Sequence, residues 1–168
     1  MSFTTKWLTL SRNDEMNDFS IPGVDNEFDL KPSVPNFIRP HKRPLSSMTP
    51  LIATHPNGTL YAVVGASGGS RIISATAQVF WHIVDHEMTL KEAMRYPRLH
   101  DQLYPNRVTL ENGFPDSEGA TDYLNKLGHN IKFVNPGQSS VQGIRVLSDG
   151  TFEAVGEPRQ NNSAGYTL

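Results

Sequence analysis

Gly65-Ala66-Ser67-Gly68-Gly69-Ser70-Arg71-Ile72 ends an apolar strand pattern and opens a helical one. The strand side is Thr59-Leu60-Tyr61-Ala62-Val63-Val64-Gly65, apolar on both faces, which predicts a central position in a sheet. The helix side runs from Ile72 to about His86. There Ile73, Ala77, Phe80 and Val84 keep helical spacing, and Ala75, Val79 and Ile83 mark another face. Apolar faces that broad predict a helix buried between layers. Gly68 and Gly69 leave backbone N–H groups bare near a helix start, where donors suit an anion or a developing oxyanion. The glycines would also serve a plain tight strand-to-helix turn. The sequence has no G-x-x-x-x-G-K-[ST] pattern, so a nucleotide P-loop is excluded.

Upstream lies a second cluster of donors, Lys42-Arg43-Pro44-Leu45-Ser46-Ser47-Met48-Thr49-Pro50. Ser46 and Ser47 bring two hydroxyls and two amides to one point. With no G-x-S-x-G elbow and no adjacent base, they read as ligand binders rather than nucleophiles. Before them, Asn13-Asp14-Glu15-Met16-Asn17-Asp18 is rich in carboxylates and amides. Glu15 and Asp18 fit either helix N-terminal charges or a site for a substrate ammonium group. Pro22, Pro32, Pro35, Pro40 and Pro44 make residues 21–44 an extended loop, pinned by Phe28, Leu30, Phe37 and Ile38.

The rest of the chain reads as strands and helices packed together. Leu51–His55 pairs with the central strand through Pro56-Asn57-Gly58, a hairpin turn. Thr89-Leu90-Lys91-Glu92 is a capping box for a short helix ending before Pro97. Arg107–Glu111 is a strand. Pro115 to about Leu127 is a helix with Asp116 and Glu118 in its first turn. Asn130–Val134, Val141–Leu147 and Thr151–Val155 are strands, the last two joined at Asp149-Gly150. The class is α/β with mostly antiparallel strands.

The 168 residues allow one domain with a core, and the net charge of −2 argues against a nucleic-acid partner. There is no cysteine, hence no thiol nucleophile, disulfide framework or zinc–thiolate site. His82 and His86 are four apart on a helix, but no third ligand accompanies them, so no metal is expected. No N-terminal apolar run reads as a signal peptide or membrane anchor.

Taken in order, these motifs, with Pro97-Arg98-Leu99-His100-Asp101-Gln102-Leu103, Glu157-Pro158-Arg159 and Ala164-Gly165-Tyr166, resemble the C-terminal small subunit of the γ-glutamyltranspeptidases (glutathione hydrolases). The likeness covers residues 13–168, after a divergent segment 1–12, and looks closest to eukaryotic members, the fungal ones among them. It implies an N-terminal-nucleophile hydrolase fold, an αββα sandwich, here incomplete. It implies γ-glutamyl transfer from glutathione and related compounds to water or an acceptor amino acid, with no cofactor. By position, Glu15 and Asp18 match the acidic pair that holds the substrate's α-ammonium. Ser46 and Ser47 match the pair that binds its α-carboxylate, and Gly68 and Gly69 match the oxyanion-hole glycines.

The family's nucleophilic threonine lies well upstream of the segment matched by Asn13, and Thr4-Thr5 stands too close to replace it. A large subunit is the implied partner. The expectation is therefore a small-subunit portion that is inactive alone, with apolar surface left uncovered. The alternative is an inactive paralogue acting as a binding or interaction protein. Family members are usually secreted, membrane-anchored or vacuolar, and nothing in these residues chooses among those compartments.

Overall fold

The computed structural model describes residues 15–46, 48–116 and 119–167 and divides the chain into two compact units, Met1–Ser46 and Ser47–Leu168. The expected boundary between residues 12 and 13, and the short strand suggested by Trp7-Leu8-Thr9-Leu10, lie outside the described residues.

In the second unit, strands β1 (Leu51–Thr54), β2 (Leu60–Ser67), β6 (Ser140–Val146) and β7 (Phe152–Val155) form an antiparallel sheet in the order β1-β2-β6-β7. The β1–β2 turn closes as its Asn-Gly pair requires: His55 N–H donates to Thr59 O at 2.8 Å, and Gly58 takes φ 84°. The register slips between Ala53 and Thr54, so Tyr61 bulges out of the ladder. Its hydroxyl donates to the Ile83 carbonyl at 3.1 Å.

Helix α1 (Ile72–Asp85) and helix α2 (Leu90–Arg95) cover one face of this sheet. Ala62, Val64 and Val141 meet Ala75, Val79 and Ile83 of α1 and Leu90, Ala93 and Met94 of α2, all buried. Each large side chain buried here contributes about 1.5–3 kcal/mol. The capping box is present in full, with Thr89 Oγ1 accepting from Glu92 N–H at 3.2 Å and Thr89 N–H donating to Glu92 Oε2 at 2.9 Å.

Helix α1 is not buried between two layers in this chain, contrary to the expectation from its pattern. The Ala75–Val79–Ile83 stripe faces the sheet, while Ile73 and Val84 are exposed. Packing a helix on a single sheet buries only one stripe. The sheet's other face is likewise open. Strand alternation puts Ile52, Ile144 and Phe152 there, and each is more than 40 % exposed. Part of the uncovered apolar surface thus lies on the face opposite α1 and α2.

A second, three-stranded sheet has the order β3-β4-β5, with β3 (Leu99–His100) antiparallel and β5 (Ile131–Val134) parallel to the wholly buried β4 (Val108–Glu111). Parallel pairing needs a crossover, supplied by α3 (Ala120–Lys126). That helix starts five residues later than the sequence predicts. Gly119 sits at its N-cap with φ 68°, and Asp116 lies outside the helix, accepting from Thr121 N–H at 2.9 Å. Strand β3 was not evident in the sequence, since two residues carry no period.

In the first unit, one 3₁₀ turn spans Glu15–Asp18 and another spans Val34–Asn36. The proline-rich stretch between and after them is otherwise irregular, as expected, with one bridge pairing Ser20 and Phe37.

Candidate active site

Strand β2 ends at Ser67, and the chain turns through Gly68 (φ 130°) and Gly69 (φ 59°) into a 3₁₀ turn, Gly69–Arg71, which leads straight into α1. Both glycines occupy backbone space that side-chain-bearing residues avoid. Gly68 also needs its missing side chain for room, because a Cβ there would stand 2.9 Å from both Gln138 O and Ser139 Cα. The carbonyls of Gly68 and Gly69 accept from Arg71 and Ile72 N–H. None of the turn and cap hydrogen bonds among the described residues is donated by the Gly68 or Gly69 N–H. The turn can therefore offer two adjacent amides to an anionic oxygen, the arrangement of an oxyanion hole.

The backbone that Gly68 leans on is held by a buried ionic cluster whose function was not legible beforehand. Arg98 donates to Glu157 Oε2 at 2.9 Å, to the Ser139 carbonyl at 3.0 Å and to Ser139 Oγ at 3.2 Å. Glu157 Oε2 also accepts from Val141 N–H at 2.7 Å. Arg159 bridges Glu157 and Glu111 and donates to the Tyr96 carbonyl at 2.9 Å. Glu111 in turn accepts from Arg98 N–H at 2.9 Å. These four charged side chains sit almost wholly out of water, and such groups persist only when paired and hydrogen-bonded. Burial alone would raise the Glu157 carboxyl, but the Arg98 charge, the Val141 amide and hydrogen bonds from Arg98 and Arg159 together hold it below its ordinary value. Burial, reinforced by the Arg159 charge, lowers Arg98.

The cluster explains why Pro97-Arg98-Leu99 and Glu157-Pro158-Arg159 stand out in the sequence. The Ala164-Gly165-Tyr166 tail is accounted for by contact: a Cβ on Gly165 would overlap the Ala154 carbonyl of β7.

In the first unit, Asp18 and Ser46 are both exposed. One side chain ties their segments together. Asn36 Nδ2 donates to the Asp18 carbonyl at 2.8 Å, and Asn36 Oδ1 accepts from the N–H of Leu45, the neighbour of Ser46, at 2.9 Å. Asn36 also donates to Ser20 Oγ at 3.3 Å. Its role was missed because an Asn after Val-Pro reads only as a turn. Glu15 begins the 3₁₀ turn that ends at Asp18. Ser47 lies outside the described residues, as do Asn13, Asp14 and Thr4-Thr5.

Two of the histidines, His82 and His100, are buried in the packed interior. His82 is buried, ringed by Tyr96 and His86 at centroid distances of 4.3 and 5.3 Å, and burial lowers its pKa. His100 bonds Ser74 through Nδ1 at 2.8 Å and Gln102 through Nε2 at 2.9 Å, and burial lowers it as well. No group of three metal-ligating side chains comes together among the described residues. No described helix is long and apolar enough to cross a membrane.

The family description "Gamma-glutamyltranspeptidase" matches residues 10–167. A glutathione hydrolase proenzyme from Arthroderma benhamiae is 48% identical over 156 residues, covering 93% of this chain and 26% of that protein. The chain thus spans about a quarter of that relative's length. Scoloptoxin SSD20 of Scolopendra dehaani is 37% identical over 151 residues, with 90% of this chain and 76% of that protein covered. The crystal structure of the Helicobacter pylori γ-glutamyltranspeptidase T380A mutant superposes with a TM-score of 0.80 at 37% identity, over 94% of this chain and 86% of that one.

Proposed function

The chain belongs to the γ-glutamyltranspeptidase family, and on that premise we propose that it supplies the head-group and oxyanion half of a γ-glutamyl acyl-transfer site. The observation that carries this reading is the pair of amides at Gly68 and Gly69, which donate in none of the turn and cap hydrogen bonds of the described residues, on a turn with no room for a side chain at Gly68. A γ-glutamyl group is a zwitterion at one end and an amide carbonyl at the other. Glu15 and Asp18 would take the α-ammonium, and Ser46 and Ser47 would donate to the α-carboxylate. The Gly68 and Gly69 N–H groups would take the oxyanion that forms when a nucleophile adds to the γ-carbonyl. Charge develops there only in the transition state, so those amides would raise kcat rather than merely tighten binding.

The attacking threonine implied by the resemblance is assigned to a segment outside residues 13–168, with a large subunit as partner and glutathione as the substrate class. The open sheet face with Ile52, Ile144 and Phe152 supports the same reading, since in a two-sheet sandwich such a face is covered.

The test is release of nitroaniline from a chromogenic γ-glutamyl anilide, by this chain alone and by this chain mixed with the N-terminal remainder of a related precursor. No turnover alone and turnover on mixing is the expected result. Ser46→Ala or Ser47→Ala should then lower kcat/KM about tenfold to a hundredfold, the worth of a hydrogen bond to a charged group. Turnover indifferent to both serines would overturn the site assignment. A binding-only protein is the second reading, since SSD20, of which this chain covers 76%, is a relative far shorter than the glutathione hydrolase proenzyme of which it covers 26%. Silence in both mixtures, with a γ-glutamyl ligand still bound, would select it.

A further inference from the structure

Behind the glycine turn lies a shallow recess, open to solvent and lined by Arg71, Ser74, His100, Glu111, Gln138 and Ser139. Its hydrogen-bonding capacity can be worked out group by group. Gln102 donates from Nε2 to the Tyr104 carbonyl, at 3.0 Å, so its Oε1 faces His100 Nε2. That nitrogen then carries the proton, and Nδ1 lies 2.8 Å from Ser74 Oγ, whose hydroxyl also has the Arg71 carbonyl within reach at 3.2 Å. Ser74 and His100 are therefore already engaged within the fold. Both Glu111 oxygens are committed too, to Arg159, Arg98 N–H and Gly137 N–H.

What remains points one way. Ser139, buried, accepts from Arg98 at Oγ, so its hydroxyl hydrogen is left to donate. The Gln138 side-chain amide has no partner among the described residues, and neither has the Arg71 guanidinium. Around the recess, Arg98 and Arg159 cancel Glu111 and Glu157, so Arg71 is a cation in excess. Burial and the nearby Arg107 charge work against it, and the Glu111 carboxylate, already paired with Arg159, offsets them only in part. A half-buried guanidinium beside further unused donors, with both Glu111 oxygens already engaged, favours an anion.

We propose that this recess binds a single carboxylate through Arg71, Gln138 and Ser139, separately from the γ-glutamyl site. The carboxylate would come either from an acidic side chain of another polypeptide segment or from a free small acid. The inference does not depend on the proposed function.

The experiment is nitrogen-15 NMR of this chain, following the Arg71 Nε–H and the Gly69 and Ser70 amides. Three titrants are compared: sodium acetate, a capped Gly-Glu-Gly tripeptide whose only charge is the side-chain carboxylate, and sodium chloride at matched ionic strength. Saturable shifts with a carboxylate at a Kd on the order of millimolar, absent with chloride, are expected. Arg71→Gln should weaken binding at least about tenfold. Gln138→Ala, at an exposed position, should weaken it several-fold and guards against a variant that misfolds. Tighter binding of the tripeptide would identify a polypeptide side chain as the source, and tighter binding of acetate a free acid. Shifts that fail to saturate with either carboxylate, or that persist unchanged in Arg71→Gln, would overturn the proposal.

Discussion

Replacing Gly68 with alanine tests the geometry that underlies the oxyanion turn. Two costs add at this position. The backbone has φ 130°, outside the range that side-chain-bearing residues favour, and a left-handed alanine costs about 1–2 kcal/mol. The new methyl would also meet Gln138 O and Ser139 Cα at 2.9 Å, both backbone atoms held in place by the Arg98–Ser139 bonds. Overpacking of that kind costs about 1–3 kcal/mol, so the sum is about 2–5 kcal/mol. For a chain of this size, 1 kcal/mol moves Tm by about 2–4 °C, so Gly68→Ala should melt about 4–20 °C lower.

Two other glycines separate the terms. Gly58 has φ 84° and open space around it, so Gly58→Ala should show the conformational cost alone, about 2–8 °C. Gly65 has neither a positive φ nor a neighbour within 4 Å, so Gly65→Ala should stay within about 1 kcal/mol of the parent. Thermal unfolding followed by far-UV circular dichroism measures all three. A Gly68→Ala chain that melts no lower than Gly58→Ala would refute the close approach of the turn to Ser139, and with it the packing argument for bare amides there.

Two further outcomes follow from the same structure. Glu157→Gln leaves Arg98 buried without its counter-charge and should destabilise by about 3–5 kcal/mol in urea unfolding at neutral pH. In the parent chain Glu157 is held below its ordinary value of 4.5, so its contribution is full above that pH and is lost as pH falls through the lowered value. His82 and His100, held neutral below their ordinary 6.5, act in the same direction and start to weaken the fold once pH drops under that value. Urea midpoints that rise between pH 7 and pH 4 would contradict both signs. Asn36→Ala removes the amide that joins the Asp18 and Leu45 segments and should cost about 1–3 kcal/mol locally. Hydrogen exchange at the Leu45 amide should accelerate about fivefold to a hundredfold, and unchanged exchange would refute the tie.

Much of this molecule is written in local chemistry. The Asn57-Gly58 turn, the Thr89–Glu92 box and the period of Ala75, Val79 and Ile83 each report on neighbours within a few residues, and the structure agrees with them. The motif order, read along one line, was enough to identify the family. Other features depend on residues far apart in the chain. Arg98 meets Glu157 across 59 positions, and Arg159 meets Glu111 across 48. No periodicity encodes such pairings, because a charge signals its partner only once folding has brought the two together. The exposure of Ile73 and Val84 belongs here too: an apolar side chain is compatible with burial, but only packing decides whether a second layer covers it. Sequence thus determined the local elements, the glycine turn and the family. Tertiary structure alone decided what presses on Gly68, which charges neutralise one another, and that Arg71 stands half-buried with no ion pair among the described residues.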